Sequence, residues 1–451
     1  MHPALLEVFA RFWAPRGFAA VPDEELDRIK ELGFDYIWVM GVWTLGSIGP
    51  RMSREQHPDF PVEDVVGSPY AVARYEVDPR FGGDAALADL RKRLAKRSIQ
   101  LIVDFVPNHT ARDHHWVTEH PEVYVHDGNG IAAGKDPYLA PWTDTAQLDH
   151  RLAVTRRLLI DTLASIADRA DGVRCDMAML ALPDVFESTW QSLPPPADQP
   201  RASGEFWAEA IDRLADRPFT WIAETYWGLE TRLQLLGFDF TYDKTLYDRL
   251  VHGDASSVRT HLGASIDYQS RSVRFLENHD ELRLAQLLPQ PRATAALAIT
   301  LTVPGMRLIH DGQIDGCRIR TNIHLGKRPD EPIDEVTRAA HLRLLGIARM
   351  PAVRSGAFSI LTTRDDRLIA HRWEHPEGSI VVIVNDSGSH VQSVVAFDLH
   401  GLAGRTVDLA DCMNGAVYTR DGSELVDPHR GLYVDLAPWQ AHVFAVKTRR
   451  L

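Results

Sequence analysis

Asp171-Gly172-Val173-Arg174-Cys175-Asp176 reads as a buried strand that ends on a carboxylate. An amphipathic stretch at 151–169 leads into it and reads as a helix. Strand side chains alternate with period two, so Arg174 and Asp176 point to one face. In a parallel barrel that face is the interior, and Asp176 stands at the C-terminal mouth. A guanidinium there holds a carboxylate ionised and aimed, as a carboxylate nucleophile requires. The same pair also fits a plain structural ion pair, so its meaning depends on the strands around it.

Working outward, the same rhythm repeats. An apolar run at 5–13 reads as a first strand. Pro22 and three acids open a helix that Gly33 closes. Strands follow at 34–40 and 100–106, with a helix at 84–97 before the latter. Beyond the opening stretch come a helix at 205–215 and strands at 219–223, 238–240, 272–276 and 307–310. Short connections between strand, helix and strand mean a parallel sheet. Eight such units predict an α/β fold, a (β/α)8 TIM barrel. Two long stretches break the rhythm. The loop at 41–75 is rich in Gly, Pro and aromatics. The segment at 107–150 predicts an inserted subdomain after the third strand. From 351 the texture changes to short strands at 368–372, 380–384, 391–397 and 440–446, separated by Gly, Asp, Asn and Pro. They predict a C-terminal all-β sandwich. The expected division is a barrel over 1–106 and 151–350, an insert over 107–150, and a sandwich over 351–451.

Bulk composition narrows the partners. The chain has 451 residues and a formal charge of −13, from 49 Lys and Arg against 62 Asp and Glu. An acidic surface disfavours nucleic acid and anionic membranes, and no apolar run reaches the length of a membrane span. Met1-His2-Pro3-Ala4 lacks the basic region and apolar core of a secretory signal, so a cytoplasmic location is expected. Cys175, Cys317 and Cys412 are scattered, with no C-x-x-C spacing to indicate a disulfide framework or zinc site. Nothing in the sequence sets the oligomeric state.

The chemistry gathers at the strand ends. The third strand ends in Asp104-Phe105-Val106-Pro107-Asn108-His109, the fourth in Arg174-Cys175-Asp176, the fifth in Ala223-Glu224 and the seventh in Glu277-Asn278-His279-Asp280. Burying several acids together is costly without a compensating role. Paired carboxylates at a barrel mouth suit glycoside hydrolysis with retention, one attacking the anomeric carbon and the other protonating the leaving oxygen.

Together these four stretches resemble the signature regions of glycoside hydrolase family 13, the α-amylase family. D-F-V-P-N-H (104–109), G-V-R-C-D (172–176), A-E (223–224) and F-L-E-N-H-D (275–280) occur in the family's order on the expected strands. The resemblance implies a nucleophile at Asp176, a general acid and base at Glu224, and a transition-state stabiliser at Asp280. It makes Arg174 the group that orients Asp176, with Asp104 beside it at the pocket floor. It places His109, His279 and the stacking ring of Tyr70 against the sugar in the −1 subsite. The implied partner is an α-glucan or α-glucoside, and no cofactor is required. Some family members bind calcium here, which offers Asn108 and Asp149 as ligands. Trp227, just past Glu224, is a candidate for the aglycone side.

Simpler readings stand beside these. Asp104 and Arg174 fit an internal ion pair as well as substrate contact, and His109 also fits a satisfied buried histidine. Asn108 fits a loop-shaping role, and His114-His115 a loop surface better than a metal pair. Trp116, Tyr138 and Trp142 fit lid packing as well as sugar stacking. Met179 and Leu180 stand where starch-acting members carry Lys-His, which predicts a more apolar aglycone side. The expected activity is therefore hydrolysis of short α-linked gluco-oligosaccharides or small α-glucosides. The rivals are an α-glucosyltransferase or phosphorylase using the same carboxylates, and a non-catalytic glycan-binding barrel.

Overall fold

Gly172–Cys175 forms the central strand of the site, with parallel neighbours Gln100–Phe105 on one side and Thr220–Ala223 on the other. In the computed structural model, which describes residues 1–399 and 401–449, these belong to a closed eight-stranded barrel. Its strands are β1 (Ala4–Phe9), β2 (Tyr36–Met40), β3 (Gln100–Phe105), β4 (Gly172–Cys175), β5 (Thr220–Ala223), β6 (Phe240–Tyr242), β7 (Ser272–Arg274) and β8 (Met306–His310). Around the barrel the order is β1-β8-β7-β6-β5-β4-β3-β2.

Two expected strands of the barrel differ most from the observed bounds. The first stops at Phe9, and Ala10–Trp13 turns into a helical segment. Its apolar run continues across that break, so hydrophobicity alone does not mark the end. The sixth lies at Phe240–Tyr242 rather than 238–240. There Gly237 takes a left-handed φ of 114° and Asp239 Oδ2 accepts from Trp221 N, so 237–239 are spent on the turn into the strand.

The chain divides into two compact units, 6–242 with 321–330, and 1–5 with 243–320 and 331–451. In the first, β4 is anchored at its entry by a carboxylate and at its exit by main-chain hydrogen bonds. At its entry, Asp171 accepts from Arg91 Nε (2.9 Å) and Leu101 N (2.8 Å). At its exit the ladder runs one residue further: Asp176 N donates to Phe105 O and Glu224 N to Cys175 O. Only glycine fits at 172, since a Cβ there would lie 2.4 Å from Thr220 O and 2.7 Å from Ile102 Cδ1. The 107–150 stretch carries short antiparallel pairs, Thr145–Gln147 against His109–Ala111 and His126–Asp127 against Gly130–Ile131. The 41–75 loop contains a helix, Gly49–Gln56, and the strand Trp43–Leu45, which pairs with Val72–Val77.

The second unit carries an all-β region. A six-stranded antiparallel sheet has the order β9 (Ala357–Ile360), β10 (Leu368–Glu374), β11 (Ser379–Asn385), β16 (Ala441–Thr448), β13 (Thr406–Asp411), β14 (Val417–Asp421). A two-stranded sheet pairs β12 (Val391–Val395) with β15 (Leu432–Leu436). Val381, Ile383, Leu409 and Phe444 share one buried cluster with Val391, Val395 and Val434, so the two sheets pack face to face. The helix Gln290–Thr302 covers the other face of β10, where Trp373 Nε1 donates to Thr302 O (2.7 Å). Among the described residues no helix is long and apolar enough to cross a membrane.

Candidate active site

Arg174 organises the polar interior of the first unit. It is fully buried, in register with Asp104 on β3 and Ile222 on β5. Its Nη1 donates to Asp176 Oδ1 (2.7 Å). Its Nη2 approaches Glu224 Oε2 to 2.8 Å as an ion pair, off the N–H axis. The guanidinium lies against the rings of Trp38, Tyr70 and Tyr242, 4.9–5.4 Å from their centroids, and Nε donates to Tyr242 Oη (3.3 Å). Burial alone would weaken this cation, but Glu224, Tyr242, Tyr70 and Asp176 hold its pKa well above the ordinary value.

Each carboxylate has further anchors. Glu224 Oε2 accepts from Met177 N (2.7 Å), and Glu224 Oε1 from Tyr226 Oη (2.8 Å). Met177 reaches that position with φ 42°, a left-handed conformation rare for a residue with a side chain. Asp104 accepts from Trp38 Nε1 (2.9 Å) and from Gly41 N (2.7 Å). The buried acids are thus tethered through donors from β2, β4 and the loops that follow β2, β4 and β5.

Of the sequence-expected residues, the first unit brings together Tyr70, Asp104, Arg174, Asp176 and Glu224. His109 is buried; its ring lies 5.2 Å from that of Trp142, and its pKa is pushed down to about 4 by desolvation, so it is neutral near pH 7. Asp144 nearby is shifted the other way, upward, by the same loss of water. Trp227 is 42% exposed, with φ 65°, and packs edge to face on the exposed Tyr138 of the 107–150 stretch at 5.0 Å.

In the second unit, His279 Nε2 lies 3.0 Å from Asp280 Oδ2, just past β7. Asn278 Oδ1 accepts from Asp280 N and Glu281 N, which shapes the turn carrying Asp280. Glu277 is held by Arg283 Nη1 (2.7 Å) and lies 3.5 Å from His310 Nδ1. Desolvation would raise its pKa, but His310, Arg283 and Leu284 N bring it below the usual carboxylate value.

The residues offered for calcium do not form an oxygen cage. Both Asp149 oxygens take the Arg151 guanidinium, at 2.8 and 2.9 Å. Asn108 instead faces Gln147, whose Nε2 donates to Asn108 Oδ1 (3.0 Å), Asn108 O (2.8 Å) and Leu148 O (3.0 Å). A neutral amide nitrogen thus sits among the oxygens that a cation would need, whereas calcium takes about six to eight of them. Among the described residues no group of three or more His, Cys, Asp or Glu could hold a metal. His114 Nδ1 accepts from Trp116 N, and its pKa falls to about 3 by desolvation first and the neighbouring His115 second.

Met179 and Leu180 are 0% and 2% exposed, so their apolar side chains pack beneath the loop after β4 instead of facing an acceptor. That corrects the inference of an apolar aglycone side from these two positions. Sequence reasoning also missed Trp38, Tyr226, Tyr242 and the Met177 amide. An aromatic just past a strand-end Glu was a visible signal for Tyr226, but no pattern marks a backbone N–H.

A family model for the alpha amylase catalytic domain matches residues 23–138, upstream of Asp176, Glu224 and Asp280. An α-amylase of Haloarcula japonica is 25% identical over 407 residues, 84% of this chain and 55% of that protein. An α-1,4-glucan:maltose-1-phosphate maltosyltransferase of Salinibacter ruber is 29% identical over 120 residues, 24% of this chain and 17% of that one. The chain therefore spans about half the length, or less, of these two relatives. A noncanonic maltogenic α-amylase of Thermotoga neapolitana shares the fold, with a TM-score of 0.75 and 22% identity over 98% of each chain.

Proposed function

We propose that this chain, which is similar over residues 23–138 to the alpha amylase catalytic domain, is a member of the α-amylase family and a retaining hydrolase of α-linked gluco-oligosaccharides or α-glucosides. The observation that carries the reading is the Arg174 fork, which engages Asp176 and Glu224 at once. Two carboxylates bridged by one guanidinium stand close together, in keeping with the ~5–5.5 Å spacing of retaining sites rather than the wider inverting one. A glycan-binding barrel gains nothing from two acids buried on a single cation.

In the first step Asp176 attacks the anomeric carbon as its bond to the leaving oxygen breaks, and Glu224 gives that oxygen a proton. In the second, Glu224 takes a proton from water, which attacks the same carbon and frees Asp176. Neutral His109 and the Tyr70 ring bind the −1 sugar; the family resemblance assigns His279 to the same sugar and Asp280 to support of the transition state through its 2- and 3-hydroxyls. Trp227 with Tyr138 lines the aglycone side. Arg174 keeps Asp176 ionised and aimed, and Asp104 braces the floor through Trp38 and the 41–75 loop.

The maltosyltransferase relative supports a second reading, glucosyl transfer to a sugar or phosphate acceptor. A product time course on maltose, isomaltose, trehalose, sucrose, maltoheptaose and an aryl α-glucoside, with and without acceptor or phosphate, separates the two. Hydrolysis predicts an α-anomer first, and about a 10²–10⁴-fold loss in Glu224→Gln on substrates with poor leaving groups. Product only with acceptor or phosphate establishes transfer. A β-anomer first, or an active Asp176→Asn, overturns the retaining mechanism.

A further inference from the structure

We infer that Tyr226 is a positioning residue for Glu224, fixing the carboxyl proton on Oε1 and governing the pH range over which it is delivered. This rests on the acid role proposed for Glu224. The two oxygens of Glu224 have different surroundings. Oε2 accepts the Met177 N–H and lies 2.8 Å from the Arg174 guanidinium. A proton on Oε2 would point at an N–H or at a fixed cation, neither of which can accept it. Oε1 meets Tyr226 Oη at 2.8 Å. A hydroxyl is both donor and acceptor. Of the three groups, only Tyr226 can keep its hydrogen bond in both protonation states of Glu224. It donates to the carboxylate and, after rotation, accepts from the acid.

The backbone is arranged for this contact. Trp227, the next residue, has φ 65° and is 42% exposed, whereas Glu224 is buried. That left-handed turn lets Tyr226 reach back to the acid while Trp227 faces outward against Tyr138. In the chemical step the O–H bond on Oε1 breaks and its proton goes to the leaving oxygen. The electron pair stays on the carboxylate, and the Tyr226 hydroxyl turns to donate to it. No other reactant is needed.

The test compares the wild type, Tyr226→Phe and Glu224→Gln on two substrates. One is α-glucosyl fluoride, whose fluoride leaves without a proton. The other is maltose, or another α-glucoside with a poor leaving group that the wild type cleaves. Tyr226→Phe keeps the ring, and a thermal melt checks its fold. It should lose about 10–100-fold in kcat/KM on the poor leaving group, a fraction of full acid catalysis, and about threefold or less on the fluoride. Its alkaline limb on the poor leaving group should move up by about one pH unit, because the carboxylate loses a donor. Equal losses on both substrates with an unmoved limb mean a structural tyrosine and overturn the inference. If Glu224→Gln also fails to discriminate between the substrates, the acid assignment itself falls. If only Tyr226→Phe fails to discriminate, the acid stands and Tyr226 does not. A wild type that cleaves neither substrate ends both.

Discussion

Two buried polar clusters in the first unit are built on opposite principles. Around Arg174, one cation meets the carboxylates of Asp176 and Glu224, with Asp104 in register beside it. Around Gln147, neutral amides and carbonyls satisfy one another and carry no net charge. The charged cluster is sensitive to protonation and to the loss of any member, because a buried ion without its partner is expensive. The amide cluster has no charge to strand, so the loss of a member costs it less. The proposed reactivity resides where charge is buried and conditional, and the 107–150 stretch is held where polarity is buried and settled.

Arg174→Met should break the contrast most severely. It strands Asp176 and Glu224 without their cation, at about 3–5 kcal/mol of stability by analogy with broken buried ion pairs. Denaturant melts and turnover check this together; a variant of wild-type stability would mean that the carboxylates find other compensation. Gln147→Ala should cost less, about 2–3 kcal/mol, since the Asn108 and Leu148 oxygens lose a donor without stranding a charge. Activity measured below the melting range should change little, which separates the structural cluster from the reactive one.

Acid should loosen the fold through the histidines. His109 and His150 have pKa values pushed down to about 4 by burial, and His371 to about 3, from an ordinary 6.5. A depressed pKa means that the unfolded chain binds the proton more readily. The stability these groups contribute is therefore complete above about pH 6.5 and drains away as pH falls toward 4. Urea midpoints from pH 7 to 4 should fall, and His109→Gln should flatten part of that slope. The smallest effect expected is from metal removal. With Gln147 Nε2 among the oxygens and Arg151 on Asp149, EDTA or added calcium should shift the melting temperature by about 1 °C or less. A larger shift would place a cation somewhere other than this pair.

The barrel was legible because each strand is a short apolar run bounded by a helix stop or a loop signal, and alternation put Arg174 and Asp176 on one face. Strand ends were less legible where apolar residues continue into a helix, as at Ala10–Trp13. The site split in the same way. Acids at strand ends stand out because a buried carboxylate is rare and demands a reason. Their partners do not stand out: nothing local announces that Met177 N and Tyr226 Oη both turn to Glu224. The family resemblance offers Asn108 and Asp149 as a ligand pair, but their partners in the fold, Gln147 and Arg151, depend on a strand pairing and a loop closure.

The sequence by itself determined the order of strands and helices, the acidic balance and the residue types at each strand end. Those are properties of periodicity and composition, which survive without knowledge of neighbours. Only the tertiary structure decided that one guanidinium serves both Asp176 and Glu224, that Met179 and Leu180 are packed away, and that an amide fills the place considered for a metal. Hydrogen bonds and burial depend on which distant atoms arrive within about 3 Å, and closure of the barrel, not local pattern, settles that.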